Sequence, residues 1–239
     1  MRLKASDYAG NAVEMAKALL GAVLCRRLDD GTVLRAASLA GASGMPILGI
    51  NFGHLGFLSN PSDDGVVNIV KAAIAGKVVS EKRSNLHIEL SRVEYGADGE
   101  ELSDTPLASY FSLNELAITR GNLGRVVSLK VAVNGDRFMT IRGDGMVLAS
   151  ATGSTAYALS AGGPFMAPEV RGMVVVPIAA HTLNSRALVT APGEVVELVC
   201  NGDVEHSDVR IFIDGRPLAF DAPVRALRVR NGEVPTRLM

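Results

Sequence analysis

Near residue 83 the hydrophobic pattern changes period, and that change restricts the architectures open to the chain. Upstream, apolar residues recur at helical spacing between short apolar runs. Ala12, Val13, Ala16, Leu19 and Leu20 mark a helix over 11–20, and residues 22–25 read as a buried strand. Residues 32–42 read as an Ala- and Leu-rich helix ended by Ser43-Gly44. Residues 46–50 form a second buried-strand candidate, and 63–75 a helix with Ser62 or Asp63 as cap and Gly76 as stop. Strands alternating with helices imply a parallel sheet with crossovers. Downstream, period two takes over. His87-Ile88-Glu89-Leu90 alternates, Ser128 to Val133 alternates into Asn134-Gly135, and Val209, Ile211 and Ile213 lead to Asp214-Gly215. Both dipeptides are hairpin turn signals, so this part reads as antiparallel β. Residues 155–162, rich in small side chains, are a helix candidate within it. The expectation is an α/β N-terminal domain over 1–82, Rossmann-like and truncated, followed by a β-rich, β-sandwich-like C-terminal domain over 83–239.

Charge and apolar run length exclude several classes. Lys and Arg total 24 against 25 Asp and Glu, a net charge of -1, which offers no electrostatic basis for binding nucleic acid or an anionic membrane. Trp is absent and aromatics are 5%, so stacking surfaces for bases are scarce. Runs such as 173–180 fall short of the roughly 18 residues needed to cross a bilayer. Asp7, Asn11 and Glu14 interrupt any N-terminal signal segment. Cys25 and Cys200 have no partner spacing, so no disulfide framework is expected and a cytoplasmic setting fits.

Four segments carry candidate chemistry. Asp30-Gly31-Thr32 stands between the first strand and a helix, where backbone N–H groups and the helix dipole favour an anion. An acidic residue there can take a hydroxyl proton or cap the helix, and both readings stay open. Gly49 to Leu58 places three glycines, with Asn51 and Phe57, after the second strand, at the edge where open α/β sheets bind ligands; an irregular loop has the same composition. Asn114-Glu115 is a polar pair in an apolar run. Its amide can read an adenine edge and its carboxylate can accept two ribose hydroxyls, unless it is a solvent-facing strand end. Arg142-Gly143-Asp144-Gly145 precedes an apolar run and then Thr152-Gly153-Ser154-Thr155-Ala156-Tyr157, a polar cradle of small hydroxyl residues or a capped helix start. Tyr157 can stack on a base or simply pack. The four histidines show no metal-ligand spacing, and His181 reads as structural.

The order of these motifs is similar to that of the NAD kinase family: Asp-Gly-Thr at 30–32, Gly-Ile-Asn-x-Gly-x-Leu-Gly-Phe-Leu at 49–58, Leu-Asn-Glu at 113–115, Asp144-Gly145, and Thr-Gly-Ser-Thr-Ala-Tyr-x-Leu-Ser-Ala-Gly-Gly-Pro at 152–164. Residues 177–189, with His181-Thr-Leu and Arg186, extend the resemblance, which covers roughly 28–220. The 152–164 run is the most specific part. The resemblance implies the NAD kinase fold, with a site between two domains, and transfer of the ATP γ-phosphoryl group to the 2′-hydroxyl of the adenosine ribose of NAD. It implies Asp30 as the group that activates that hydroxyl and Asn114 with Glu115 as the pair holding the adenosine. Asp144, Thr152, Thr155, Ala156 and Tyr157 would line the nucleotide pockets, with Phe57 flanking adenine and Gly31 and Thr32 on the phosphate side. Arg35, Asn51, Arg142 and Ser160 join this substrate-binding set. Mg²⁺ or another divalent cation would come with ATP rather than be held by protein ligands. Homodimers or homotetramers are implied, a neighbouring subunit contributing to the site. ATP or polyphosphate is the donor, and neither nucleic acid nor membrane is a partner.

Two departures set the alternatives. Where the family loop reads Gly-Gly-Asp-Gly-Thr, this chain has Leu28-Asp29 before Asp30, preceded by Arg26-Arg27. A leucine intrudes where backbone should approach phosphate, and a second carboxylate adds repulsion. The N-terminus is short, and the C-terminus at Met239 reads as lacking a tail that returns to the first domain. A catalytically weak or inactive NAD-binding member is therefore the alternative, and a lipid kinase of the diacylglycerol type the third reading.

Overall fold

The computed structural model describes residues 23–25, 32–50, 65–95, 101–121, 125–182, 185–200, 209–219, 224 and 226–239. The expected helix over 11–20 lies outside them, as do Asp30, Gly31, Asn51 and Phe57.

The upstream unit follows its apolar pattern. Strand β1 (Val23–Cys25) pairs in parallel with β2 (Pro46–Gly49), and helix α1 (Thr32–Ala40) lies between them in sequence. Ala36, Ala37 and Ala40 recur at helical spacing and bury against Ile47. Gly41 follows because a Cβ there would strike the Phe111 ring. The helix closes at Gly44, with φ +63, and the Ser43 hydroxyl donates to the Ala40 carbonyl at 3.1 Å. Helix α2 (Val66–Ile74) is shorter than expected. It starts after Gly65, which offers no side-chain cap, and the expected caps Ser62 and Asp63 lie outside the described residues; Gly76, at φ +67, does end it.

The downstream unit is a sandwich of two antiparallel six-stranded sheets. One has the order β5 (Glu101–Ser112), β4 (Leu86–Tyr95), β15 (Ala226–Asn231), β12 (Val196–Cys200), β7 (Val127–Val133), β8 (Asp136–Gly143). The other runs β11 (Leu188–Val189), β10 (Val174–Ile178), β9 (Gly145–Ala149), β6 (Glu115–Arg120), β13 (Val209–Ile213), β14 (Arg216–Pro217). Leu86, Ile88, Leu90, Leu129, Leu198 and Val229 of the first meet Leu116, Ile118, Met146, Leu148 and Ile211 of the second. Both hairpin signals hold. Asn134 and Gly135 (φ 52 and 86) join β7 to β8, and Asp214 and Gly215 (φ 47 and 74) join β13 to β14, left-handed at both positions as a type I′ turn requires.

The second sheet is covered on its outer face too. Ala117, Val147, Ala149, Val174 and Val176 form a separate cluster with Ala158. That is why β9 is apolar at every position rather than alternating.

One expectation is overturned. The C-terminus does return to the first domain: β16 (Thr236–Leu238) is inserted between β2, to which it is parallel, and the antiparallel β3 (Glu81–Arg83). Thr236 is 3% and Leu238 8% exposed, and the Met239 N–H donates to the Ile47 carbonyl at 2.9 Å. Three residues carry too little periodicity to announce a strand. The anchor is buried Asn85, whose Nδ2 donates to the Val234 carbonyl at 3.1 Å and to Thr236 Oγ1 at 2.9 Å. Asn85→Ala removes both bonds and leaves the Val234 carbonyl and Thr236 hydroxyl to find other partners. It should lower unfolding free energy by about 2 kcal/mol in urea titration and speed amide exchange at Met239; unchanged exchange there would show that β16 is held by its ladder alone.

Candidate functional site

The loop between β5 and β6 is held by its own backbone. Asp214, at the β13–β14 turn, accepts four hydrogen bonds from it: Ser112 Oγ at 2.6 Å, Asn114 N–H at 2.8 Å and Glu115 N–H at 3.1 Å on Oδ1, and Leu113 N–H at 3.0 Å on Oδ2. The Asp214 N–H returns a bond to the Glu115 carbonyl at 3.0 Å. The remaining carbonyls go to Ser150 at the end of β9, whose hydroxyl donates to Leu113 O at 2.5 Å and whose N–H donates to Asn114 O at 2.9 Å. Gly153 packs on that Asn114 carbonyl so closely that a Cβ would overlap it, which accounts for the glycine in Thr-Gly-Ser-Thr.

With the main chain satisfied, side chains take different directions. Leu113 buries in the cluster of Ala36, Ala37, Ala40, Ile47 and Leu238, tying this loop to the helix that follows Asp30-Gly31. Asn114 is half-buried. Glu115 is 7% exposed, and its Oε2 has no hydrogen-bond partner among the described residues. The solvent-facing alternative is thereby excluded for Glu115, while Asn114 stays partly exposed. Burial first, then the Asp214 carboxylate beside it, raises Glu115 to about 7. Burial likewise pushes Asp214 up, while the donors from Ser112 and the three N–H groups pull against it.

Residues 150–160 differ from the expected helix. A 3₁₀ turn over Gly153–Thr155 and one helical turn over Tyr157–Ser160 are separated by Ala156 at φ −99, ψ −125, and neither is capped by a side chain. Such short turns carry little dipole, and the hydroxyls are mostly occupied. Ser154 Oγ donates to Ala151 O at 2.7 Å and accepts from Met166 N–H at 3.0 Å; Thr155 Oγ1 donates to Thr152 O at 3.2 Å. Thr152 Oγ1 is the exception, buried without a partner among the described residues. Ser160 is exposed, Ala156 half-buried, and Tyr157 39% exposed, its ring free to pack on an arriving planar group.

Arg142 and Asp144 are elsewhere. Glu115 pairs with Ala149 and Thr119 with Gly145, so Asp144 adjoins the far end of β6, five residues and about 17 Å of strand from Glu115. Asp144 pairs with Arg120 Nε at 3.0 Å, Arg142 is exposed, and its carbonyl accepts the His181 N–H at 2.8 Å. His181 itself is exposed rather than structural. Arg35 is exposed on α1, which begins at Thr32. One chain therefore gathers Asn114, Glu115 and 152–160, and sets Arg142 and Asp144 apart. The sequence reading missed Asp214, Ser112 and Ser150: an aspartate before glycine reads as turn chemistry alone, and two serines next to apolar strands carry no signal.

Residues 113–239 match the ATP-NAD kinase C-terminal domain and residues 29–78 the ATP-NAD kinase N-terminal domain. The chain is similar to the NAD kinase of Heliobacterium modesticaldum, 35% identical over 210 residues, 88% of this chain and 70% of that protein. It is 36% identical over 187 residues to the NAD kinase of Caldanaerobacter subterraneus, 78% of this chain and 62% of that one, so it spans roughly two thirds of these relatives. Among solved structures, the yeast NADH kinase complexed with NADH superposes with a TM-score of 0.74 at 25% identity, covering 91% of this chain and 60% of that one. An NAD kinase from Archaeoglobus fulgidus in complex with ATP superposes at 0.66 and 22% identity, covering 96% and 89%, a likeness of fold.

The raised Glu115 has a measurable consequence. Its folded pKa of about 7 lies above the ordinary 4.5, so its contribution to stability is present below pH 4.5 and lost as pH rises through 7, on the order of 3 kcal/mol. Glu115→Gln should remove that loss: the variant gains on the wild type between pH 5 and pH 8 in urea titrations, whereas parallel pH profiles would show an ordinary solvated carboxylate.

Proposed function

This chain belongs to the NAD kinase family, and from that premise we propose that it transfers the γ-phosphoryl group of ATP to the 2′-hydroxyl of the adenosine ribose of NAD, making NADP. The observation that carries the reading is Glu115, a nearly buried carboxylate with an oxygen that has no partner among the described residues, on a loop whose backbone is fully bonded. A buried acceptor without a donor is costly unless something supplies one. The ribose 3′-hydroxyl supplies one, which leaves the 2′-hydroxyl proton for Asp30. Asn114 beside it can both donate to and accept from an adenine edge, Thr152 Oγ1 offers a hydroxyl with no partner among the described residues, and Tyr157 gives a face for stacking.

In this reading the ribose is held with its 2′-oxygen toward Asp30. That oxygen forms the new bond to the γ-phosphorus, the bond from phosphorus to the β–γ bridging oxygen breaks, ADP leaves, and the hydroxyl proton passes to the Asp30 carboxylate. Gly31, Thr32 and Arg35 serve the phosphates, with Asn51 and Phe57 completing the nucleotide side and Ser160 beside Tyr157. Mg²⁺ or another divalent cation arrives with the triphosphate and neutralises charge there. Polyphosphate is the other donor to be compared. We place the enzyme in the cytoplasm; no helix among the described residues is long and apolar enough to cross a membrane. The separation of Asp144 from Glu115 supports a homo-oligomer, dimer or tetramer, in which a neighbour's Arg142–Asp144 edge completes the dinucleotide site.

A coupled assay with ATP, Mg²⁺ and NAD, read as NADP formed, tests the reaction. Asp30→Asn should lower kcat by about 10²–10⁴-fold while NAD still raises the melting temperature. A variant at wild-type rate removes Asp30 from the chemistry. A wild type that is stabilised by NAD yet forms no NADP would show a binding protein instead.

A further inference from the structure

We propose that Asp214 is the positioning residue for NAD, acting through the 113–115 loop rather than by touching the substrate; this rests on the functional reading above. Every backbone polar group of that loop is bonded inward. The three N–H groups go to the Asp214 carboxylate, two carbonyls go to Ser150 and the third accepts the Asp214 N–H. The main chain is thereby turned toward the protein, Leu113 is buried against α1, and only the side chains of Asn114 and Glu115 remain to meet a ligand. Their aim depends on one carboxylate supplied from about 100 residues away in sequence.

Asp214 is itself well placed to be a fixed point. The type I′ turn that carries it sits at the end of β13, which is laddered to β6 from Val209–Arg120 to Ile213–Leu116. Its carboxylate receives four donors and no acid proton is needed for any of them, the pattern of an ionised group. It then acts on Glu115 in two ways, fixing its backbone and setting a negative charge beside it. From the other end of β6, the Arg120–Asp144 pair is five residues off, so among the described residues Asp214 is the charged group that Glu115 faces.

In Asp214→Asn one oxygen still accepts, but the amide N–H₂ meets the Leu113 N–H donor and the charge that strengthens the other bonds is gone, so the loop must rotate. Misaiming a binding pair by about 1 Å costs roughly 10²-fold in well-built sites. The test compares wild type, Asp214→Asn and the milder Ser112→Ala, which removes one of the four donors. Expected for Asp214→Asn is a KM for NAD raised tenfold or more, an unchanged KM for ATP, and an acid limb of NAD affinity shifted to lower pH because the neighbouring charge is gone. Ser112→Ala should raise KM for NAD about 2- to 10-fold, the equivalent of one hydrogen bond, without moving the acid limb. General destabilisation would lower the melting temperature and the active fraction but leave both KM values and the acid limb in place. If Asp214→Asn does not fold, Ser112→Ala decides: an unaltered KM for NAD overturns the proposal. A wild type that neither binds nor phosphorylates NAD overturns the functional reading beneath it. A wild type that does both, with variants retaining its KM for NAD and acid limb, overturns the positioning role alone.

Discussion

The Asp214 carboxylate and the backbone it holds are the constraint around which the candidate site is arranged. A half-buried carboxylate is costly unless its oxygens are occupied, and here four donors occupy them. The same geometry forces a second carboxyl, Glu115, into a place where burial and a like charge both disfavour ionisation. One acid is satisfied, and its neighbour has an oxygen with no partner among the described residues. Unsatisfied polarity of this kind persists where the rest of the structure over-determines it, and the sites where local rules are broken tend to be the sites that do chemistry.

What over-determines it is the second sheet. β6, β9 and β10 are buried on both faces, one against the sandwich core and the other under the short turns of 153–160. Close-packed strands of this sort hold their ends to within fractions of an ångström, and the loops at those ends inherit that rigidity. The loop before β6 and the one after β9 meet through Ser150 and Gly153, so the polar pair and the Thr-Gly-Ser-Thr run are two sides of one construction. Leu113 carries the same rigidity into the first domain through α1 and β16.

Much of the scaffold was legible because its signals are local. Asn134-Gly135 and Asp214-Gly215 announce hairpins since few residues tolerate positive φ twice in succession, and Ala36, Ala37 and Ala40 announce the buried face of α1. What escaped depends on pairings distant in sequence. Asp214 shows its turn but not its four donors. Ser154 reads as part of a ligand cradle, whereas the fold spends it on a carbonyl and an N–H group. The helix over 155–162 shrank to a single turn because Gly153 must press on Asn114 and Ala156 breaks the winding. β16 was hidden because three residues have no measurable period, and its place is set by Asn85, 151 residues earlier in the chain. Motif order showed that Asp144 and Glu115 belong together in sequence; only strand register showed that one chain holds them at opposite ends of β6.

The central claim is that a ribose hydroxyl donates to an ionised Glu115, and proton counting reaches it most directly. With that carboxyl at about 7 in the free protein, a ligand that favours its charged form must expel protons near neutrality, up to about half a proton per molecule bound at pH 7. Calorimetric titration of NAD into the wild-type protein, in buffers of different ionisation enthalpy, reads that number. Release that disappears in the glutamine variant at 115 is the predicted result. Binding with no proton exchange, or with the same release when the carboxyl is gone, would contradict the account.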